Sequence, residues 1–132
     1  MSPDSSKQLL RSAPYFPVAD VERSATYYER TFGFQRAYVA GTPPEFAIMM
    51  RDDLSVMLRR VPDATRIVPN ERQNGTWDVF FWVRDVRALH AELRESGAEM
   101  VYDVVYRAEY GMDECAARDL NGYVLGFGQS RT

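Results

Sequence analysis

A chain of 132 residues, 45% apolar and 27% charged, has the composition of one globular domain. A domain this long buries about two-thirds of its unfolded surface and needs no staples. Its net charge of −3 argues against nucleic acid as a partner, since such a partner calls for a basic face. A single cysteine, Cys115, excludes an intrachain disulfide. With no apolar run of membrane length and no signal-peptide core, the expected setting is the cytoplasm, away from membranes.

Residues 1–11 are polar and are expected to fray. Residues 13–18 read as a short strand, which Pro14 and Pro17 confine to an edge or to a crossing between halves. Asp20 caps a helix whose stripe is Val21, Ala25, Tyr28 and Phe32, and Gly33 closes it. Three strands are predicted next, over 37–40, 46–50 and 54–58. Residues 59–75 carry Pro62 and Pro69 and no sustained period, which marks a connector.

The pattern then begins again. Residues 77–83 form a strand that is apolar on both faces. Asp85 caps a helix with the stripe Val86, Leu89 and Leu93, and Gly97 ends it. Strands follow over 99–103, 114–118 and 123–127. Val18-Ala19-Asp20-Val21 and Val83-Arg84-Asp85-Val86 mark equivalent points 65 residues apart. The chain therefore reads as a duplicated βαβββ unit: an N-terminal tail 1–11, a first module 12–62, a connector 63–75 and a second module 76–129, together one domain. A βαβββ sheet has one face under its helix and one face open.

The last two strands flank the turn Asp119-Leu120-Asn121-Gly122. Beyond it, Gly126 and Gly128 leave one strand face bare, which suits either a close ligand or another element packed against it. Cys115, inside a strand, reads as a small buried hydrophobe. His90, the lone histidine, falls mid-helix and reads as structural.

Three stretches carry a family resemblance: residues 19–34 with the Arg51-Asp52-Asp53 turn, residues 80–93, and the closing run from Tyr110 to Gln129. Together they resemble the vicinal-oxygen-chelate superfamily, which spans glyoxalase I, extradiol dioxygenases and bleomycin-resistance proteins. The resemblance covers nearly the whole chain and implies an α+β fold, with paired βαβββ modules forming a curved mixed sheet around a cleft. Metal-dependent relatives place His, Glu or Gln ligands on equivalent strands. The matching positions here are Ala13, Met57 (Leu58 after a one-residue slip), Asp78 and Gly126. Only Asp78 can ligate, whereas a catalytic metal takes about three protein ligands. No metal and no cofactor are therefore expected.

Residues sharing a face with those positions would line the cleft. They are Tyr15, Tyr38 and Met57 in the first module and Asp78, Phe80 and Trp82 in the second. Tyr102, Tyr106 and Tyr110 form a lid, and Asp78 and Glu114 offer charge to a cation. Core filling is the plain reading of each aromatic singly. As a group, eight tyrosines and two tryptophans favour a binding cleft.

Without metal ligands the chain looks most like the bleomycin-resistance branch, whose dimers sequester a drug without chemistry. It departs from that branch in its mild charge and in Ala37, where the branch has an acidic residue. The resemblance implies a homodimer binding a small aromatic or cationic molecule, a bleomycin-type antibiotic among the candidates. The alternatives are a lyase or dioxygenase with atypical metal ligands, and a partner-binding module of the same fold.

Overall fold

The structure, a computed structural model, describes residues 6–132. The first part of the expected frayed tail therefore lies outside the described residues. The first module contains β1 (Tyr15–Val18), α1 (Val21–Phe32), β2 (Gln35–Ala40), β3 (Phe46–Arg51) and β4 (Leu54–Arg60). Two short 3-10 turns, Ala64–Arg66 and Asn70–Gln73, occupy the connector. The second module contains β5 (Val79–Trp82), α2 (Val86–Glu95), β6 (Glu99–Arg107), β7 (Met112–Arg118) and β8 (Val124–Ser130).

Both helices start where a carboxylate meets an orphan amide. Asp20 accepts from the Arg23 amide at 2.9 Å, and Asp85 from the Ala88 amide at 3.0 Å. α1 ends at Gly33, whose φ of 72° a side chain would strain. α2 ends at Ser96, and Gly97 follows it in the same left-handed region.

The strands form two four-stranded mixed sheets in matching order, β1-β4-β3-β2 and β5-β8-β7-β6. In each, the first strand lies parallel to the last and the other pairs are antiparallel. Among the described residues no ladder joins the two sheets, and they do not close into a barrel. β6 runs past residue 103, where the sequence suggested an irregular stretch. Register shifts at Met100/Tyr102 and Tyr102/Val105 let it stay paired with β7.

The helix-covered faces share one core. Phe16, Leu58 and Met49 from the first sheet join Cys115, Leu125 and Phe127 from the second, with both helices between. Burial pushes the Cys115 thiol up to about 11, as befits a packed hydrophobe. Polar groups stitch the modules together. The Tyr28 hydroxyl donates to Asp119 at 2.7 Å, and the Tyr123 hydroxyl donates to the Pro17 carbonyl at 2.6 Å. Phe16 stacks on Tyr123 with centroids 4.3 Å apart. Arg51, at the end of β3, holds the α1 carbonyl of Phe32 and pairs with Glu92 of α2, both at 2.7 Å. With the helical faces turned inward, each sheet leaves its other face uncovered.

Candidate functional site: the two open sheet faces

On the first sheet, register sets Tyr15, Met57 and Ile48 side by side across β1, β4 and β3, with Tyr38 beyond on β2. Phe46 lies between Tyr15 and Tyr38, with centroids 6.3 and 6.2 Å away. The Arg59 guanidinium covers the Phe46 ring at 5.1 Å and donates to the Tyr15 hydroxyl at 3.0 Å. Tyr15 and Tyr38 remain more than half exposed.

The second sheet carries the denser aromatic group. Phe80 faces Gly126 and Trp82 faces Gly128 across the parallel β5–β8 pair. The bare glycine face predicted from sequence is filled from within the chain. A Cβ on Gly126 would sit 2.6 Å from Trp77 and 2.7 Å from Phe80, and one on Gly128 2.5 Å from Phe80. Glycine here lets the rings lie down on the strand. Phe80 in turn meets Trp82 edge-on at 5.1 Å. Trp82 is 73% exposed.

Beside these rings sits a buried carboxylate. The Glu114 side chain is fully buried, yet it belongs to the open face, opposite Gly128 and Val105. Both its oxygens accept phenol hydrogen bonds, from Tyr102 and from Tyr110. The Trp77 indole N–H donates to the Tyr102 hydroxyl at 2.9 Å. Arg107 lies 3.7 Å from Glu114, its guanidinium 5.0 Å from the centre of the Tyr102 ring. Desolvation, then the bond to Glu114, pushes the Tyr102 phenol up to about 12 and raises Tyr110 too.

The structure thus brings Tyr15, Tyr38 and Met57 together on one face and Phe80, Trp82, Tyr110 and Glu114 on the other. Two expected members face elsewhere. β5 begins only at Val79, so Trp77 takes the open face instead of Asp78. The Asp78 carboxylate accepts the Asn70 and Val124 amides at 2.9 and 2.8 Å, tying the connector to β8. Tyr106 pairs with Asp113, not Glu114, because the register shifts in β6 turn it to the other face. There it lies 3.7 Å beneath the Arg131 guanidinium. The sequence reading missed Trp77, Phe46, Arg59 and Arg107. Correct strand ends for β5 and β6 would have placed Trp77 and Arg107.

The metal positions divide likewise. Ala13 precedes β1, Met57 lies on the first open face, Asp78 is turned aside, and Gly126 is covered by Trp77 and Phe80. Among the described residues no three His, Cys, Asp or Glu side chains group so as to hold a metal ion. The residues present do not fit a metal centre of the family type. His90 sits on the flank of α2, its Nε2 2.8 Å from Asp103. A groove of about 650 Å³ opens at the module junction between Phe34, Phe81, Trp82 and Leu89, but it lacks a buried acid like Glu114. Among the described residues no helix is long and apolar enough to cross a membrane.

Two such sheets, each with a helix on one face and an open face on the other, define the architecture of one superfamily. The chain matches the Glyoxalase/Bleomycin resistance protein/Dioxygenase superfamily over residues 12–127, and belongs to it. No curated protein matches the chain. Among solved structures it is similar to TioX from Micromonospora sp. ML1, at 21% identity and a TM-score of 0.72, covering 91% of this chain and 98% of that one. It is similar to a glyoxalase-related enzyme from Clostridium phytofermentans at 15% identity and a TM-score of 0.74, covering 96% and 99%. It is also similar to the bleomycin-binding protein of Streptomyces verticillus, solved with copper(II)-bleomycin. There the identity is 20%, the TM-score 0.70 and the coverage 96% and 99%. At these identities the likeness establishes the fold.

Proposed function

We propose that the chain binds a small, flat aromatic or cationic molecule without transforming it, and that two copies complete the site. The observation carrying this reading is the outward turn of both open faces. The aromatic sets around Tyr15 and around Phe80 each lie on the sheet face turned away from the shared core. In a homodimer, the first-module face of one copy lies against the second-module face of the other. This buries exposed rings of the kind that anchor interfaces and ligand sites. Sequestration of an antibiotic in the cytoplasm belongs to the same proposal.

The test is calorimetric titration with metal-free bleomycin, run beside sedimentation. A dimer and a saturable heat at one drug per chain are expected. Trp82→Ala, a change at an exposed site, is expected to weaken binding about tenfold while moving stability by no more than about 0.5 kcal/mol. A monomer at every concentration removes the shared site. A dimer that gives no heat with bleomycin removes that drug as the ligand.

A further inference from the structure

The second open face contains a charge arrangement that aromatic stacking does not need. Glu114 is fully buried at the floor of an otherwise aromatic surface. The phenol protons of Tyr102 and Tyr110 both point at its carboxylate. Their remaining lone pairs, with the carboxylate beneath, form a surface that accepts hydrogen bonds and carries negative charge. The Arg107 guanidinium already occupies it, 3.7 Å from Glu114 and over the Tyr102 ring at 5.0 Å. A planar cation stacked on an aromatic face beside a carboxylate is the arrangement a planar cationic ligand would adopt. The first open face repeats part of this, with Arg59 over Phe46 at 5.1 Å and bonded to the Tyr15 hydroxyl.

We infer that Glu114, Tyr102 and Tyr110 form a socket for a planar aromatic cation, and that Arg107 is an internal occupant such a ligand displaces. This rests on the binding reading above and narrows its ligand class to hydrogen-bond donors of positive charge. Arg107 sets selectivity as well as affinity. A neutral ring gains nothing from Glu114 and has no reason to displace the arginine. A weak cation cannot displace it.

The probes are proflavine, a planar tricyclic cation, and acridine, the same ring system uncharged at neutral pH, each titrated by fluorescence. Arg107→Gln is expected to tighten proflavine on the order of tenfold and to leave acridine unchanged. Arg131→Gln removes an equal charge from the opposite face and is expected to change neither. Glu114→Gln, checked for folding by circular dichroism, is expected to abolish the preference for proflavine. Because Arg107 is partly exposed, its variant keeps the test decisive even if Glu114→Gln does not fold. If Arg107→Gln leaves proflavine unchanged or weaker, or if Arg131→Gln tightens it equally, the socket is overturned. Binding of both dyes without charge preference overturns the socket but leaves the aromatic binding reading standing. Binding of neither overturns both.

Discussion

Asp119 shows how one residue serves two scales. Its Oδ1 accepts the Asn121 and Tyr123 amides at 2.8 and 3.0 Å and so builds the β7–β8 turn. Its Oδ2 accepts from Tyr28 across the module junction. Burial pushes the carboxyl up to about 6 from 3.8, although these hydrogen bonds pull it back. A raised carboxyl binds its proton more tightly in the folded state. Its contribution to stability is therefore complete below about 4 and is lost as pH rises through about 6. Glu22 and Asp113 are lowered by Arg36 and Arg131 and act in the opposite sense. The difference between variants isolates Asp119. In Asp119→Asn the side chain keeps its shape but no longer titrates: its oxygen still accepts the Asn121 and Tyr123 amides, and its nitrogen meets the Tyr28 hydroxyl by donating instead of accepting, a change that does not vary with pH. Urea unfolding from pH 4 to 7 is expected to show the parent losing on the order of 3 kcal/mol relative to this variant. Equal slopes would mean that Asp119 titrates normally. A second expectation concerns Gly126. Gly126→Ala drives a methyl into Trp77 and Phe80 and is expected to cost about 1–3 kcal/mol, read as a lower urea midpoint. The turn role of Asp119 was legible because its partners are two and four residues away. Its bond to Tyr28 was not, because nothing local couples residues 91 apart.

At the scale of elements, the caps and stripes were readable. Asp20, Asp85 and Gly33 act through their own neighbours, so the chemistry that sets them lies within a few residues. Strand ends were less readable. Trp77 and Asp78 alternate like the residues after them, but the Asp78 carboxylate is held by backbone amides from two other segments and turns off the open face. That displacement cost the sequence reading Trp77. In β6 the register shifts break the two-residue alternation, so Tyr106, expected in a lid over the cleft, lies in a strand and on the face opposite Glu114. The β3–β4 hairpin yields a prediction of its own. Asp52 and Asp53 form a two-residue loop with φ of 51° and 65°. Both angles suit the hairpin twist, but the second favours glycine. Asp53→Gly is expected to raise stability by about 0.5 kcal/mol, seen as a higher thermal midpoint. No gain would mean that the aspartate tolerates the left-handed region without strain.

Over the whole molecule, duplication was the most informative reading. The repeated strand end and cap, 65 residues apart, correspond to the matching strand orders of the two sheets. The way the halves meet was not legible. It depends on Phe16 with Tyr123, Tyr28 with Asp119, and Arg51 with Glu92, pairs with no shared local pattern. These contacts lead us to propose that the modules are one cooperative unit, not two domains on a tether. Calorimetry is expected to show a single transition whose van't Hoff and calorimetric enthalpies agree. A fragment covering residues 6–75 is expected to show none, because Tyr28 and Phe16 would lose their partners. Two resolved transitions would separate the modules.

Each sheet is also completed by its first strand lying beside its last. β1 gains its partner only once Met57 and its successors have been made, and β5 waits for Leu125 to Gly128. A chain emerging from the ribosome therefore carries each of these strands unpaired for most of a module's synthesis. β1 waits safely, because Pro17 has no N–H to offer a stray strand. β5 reads Val-Phe-Phe-Trp with no proline and no charge, so it has no such guard against stray pairing while it waits.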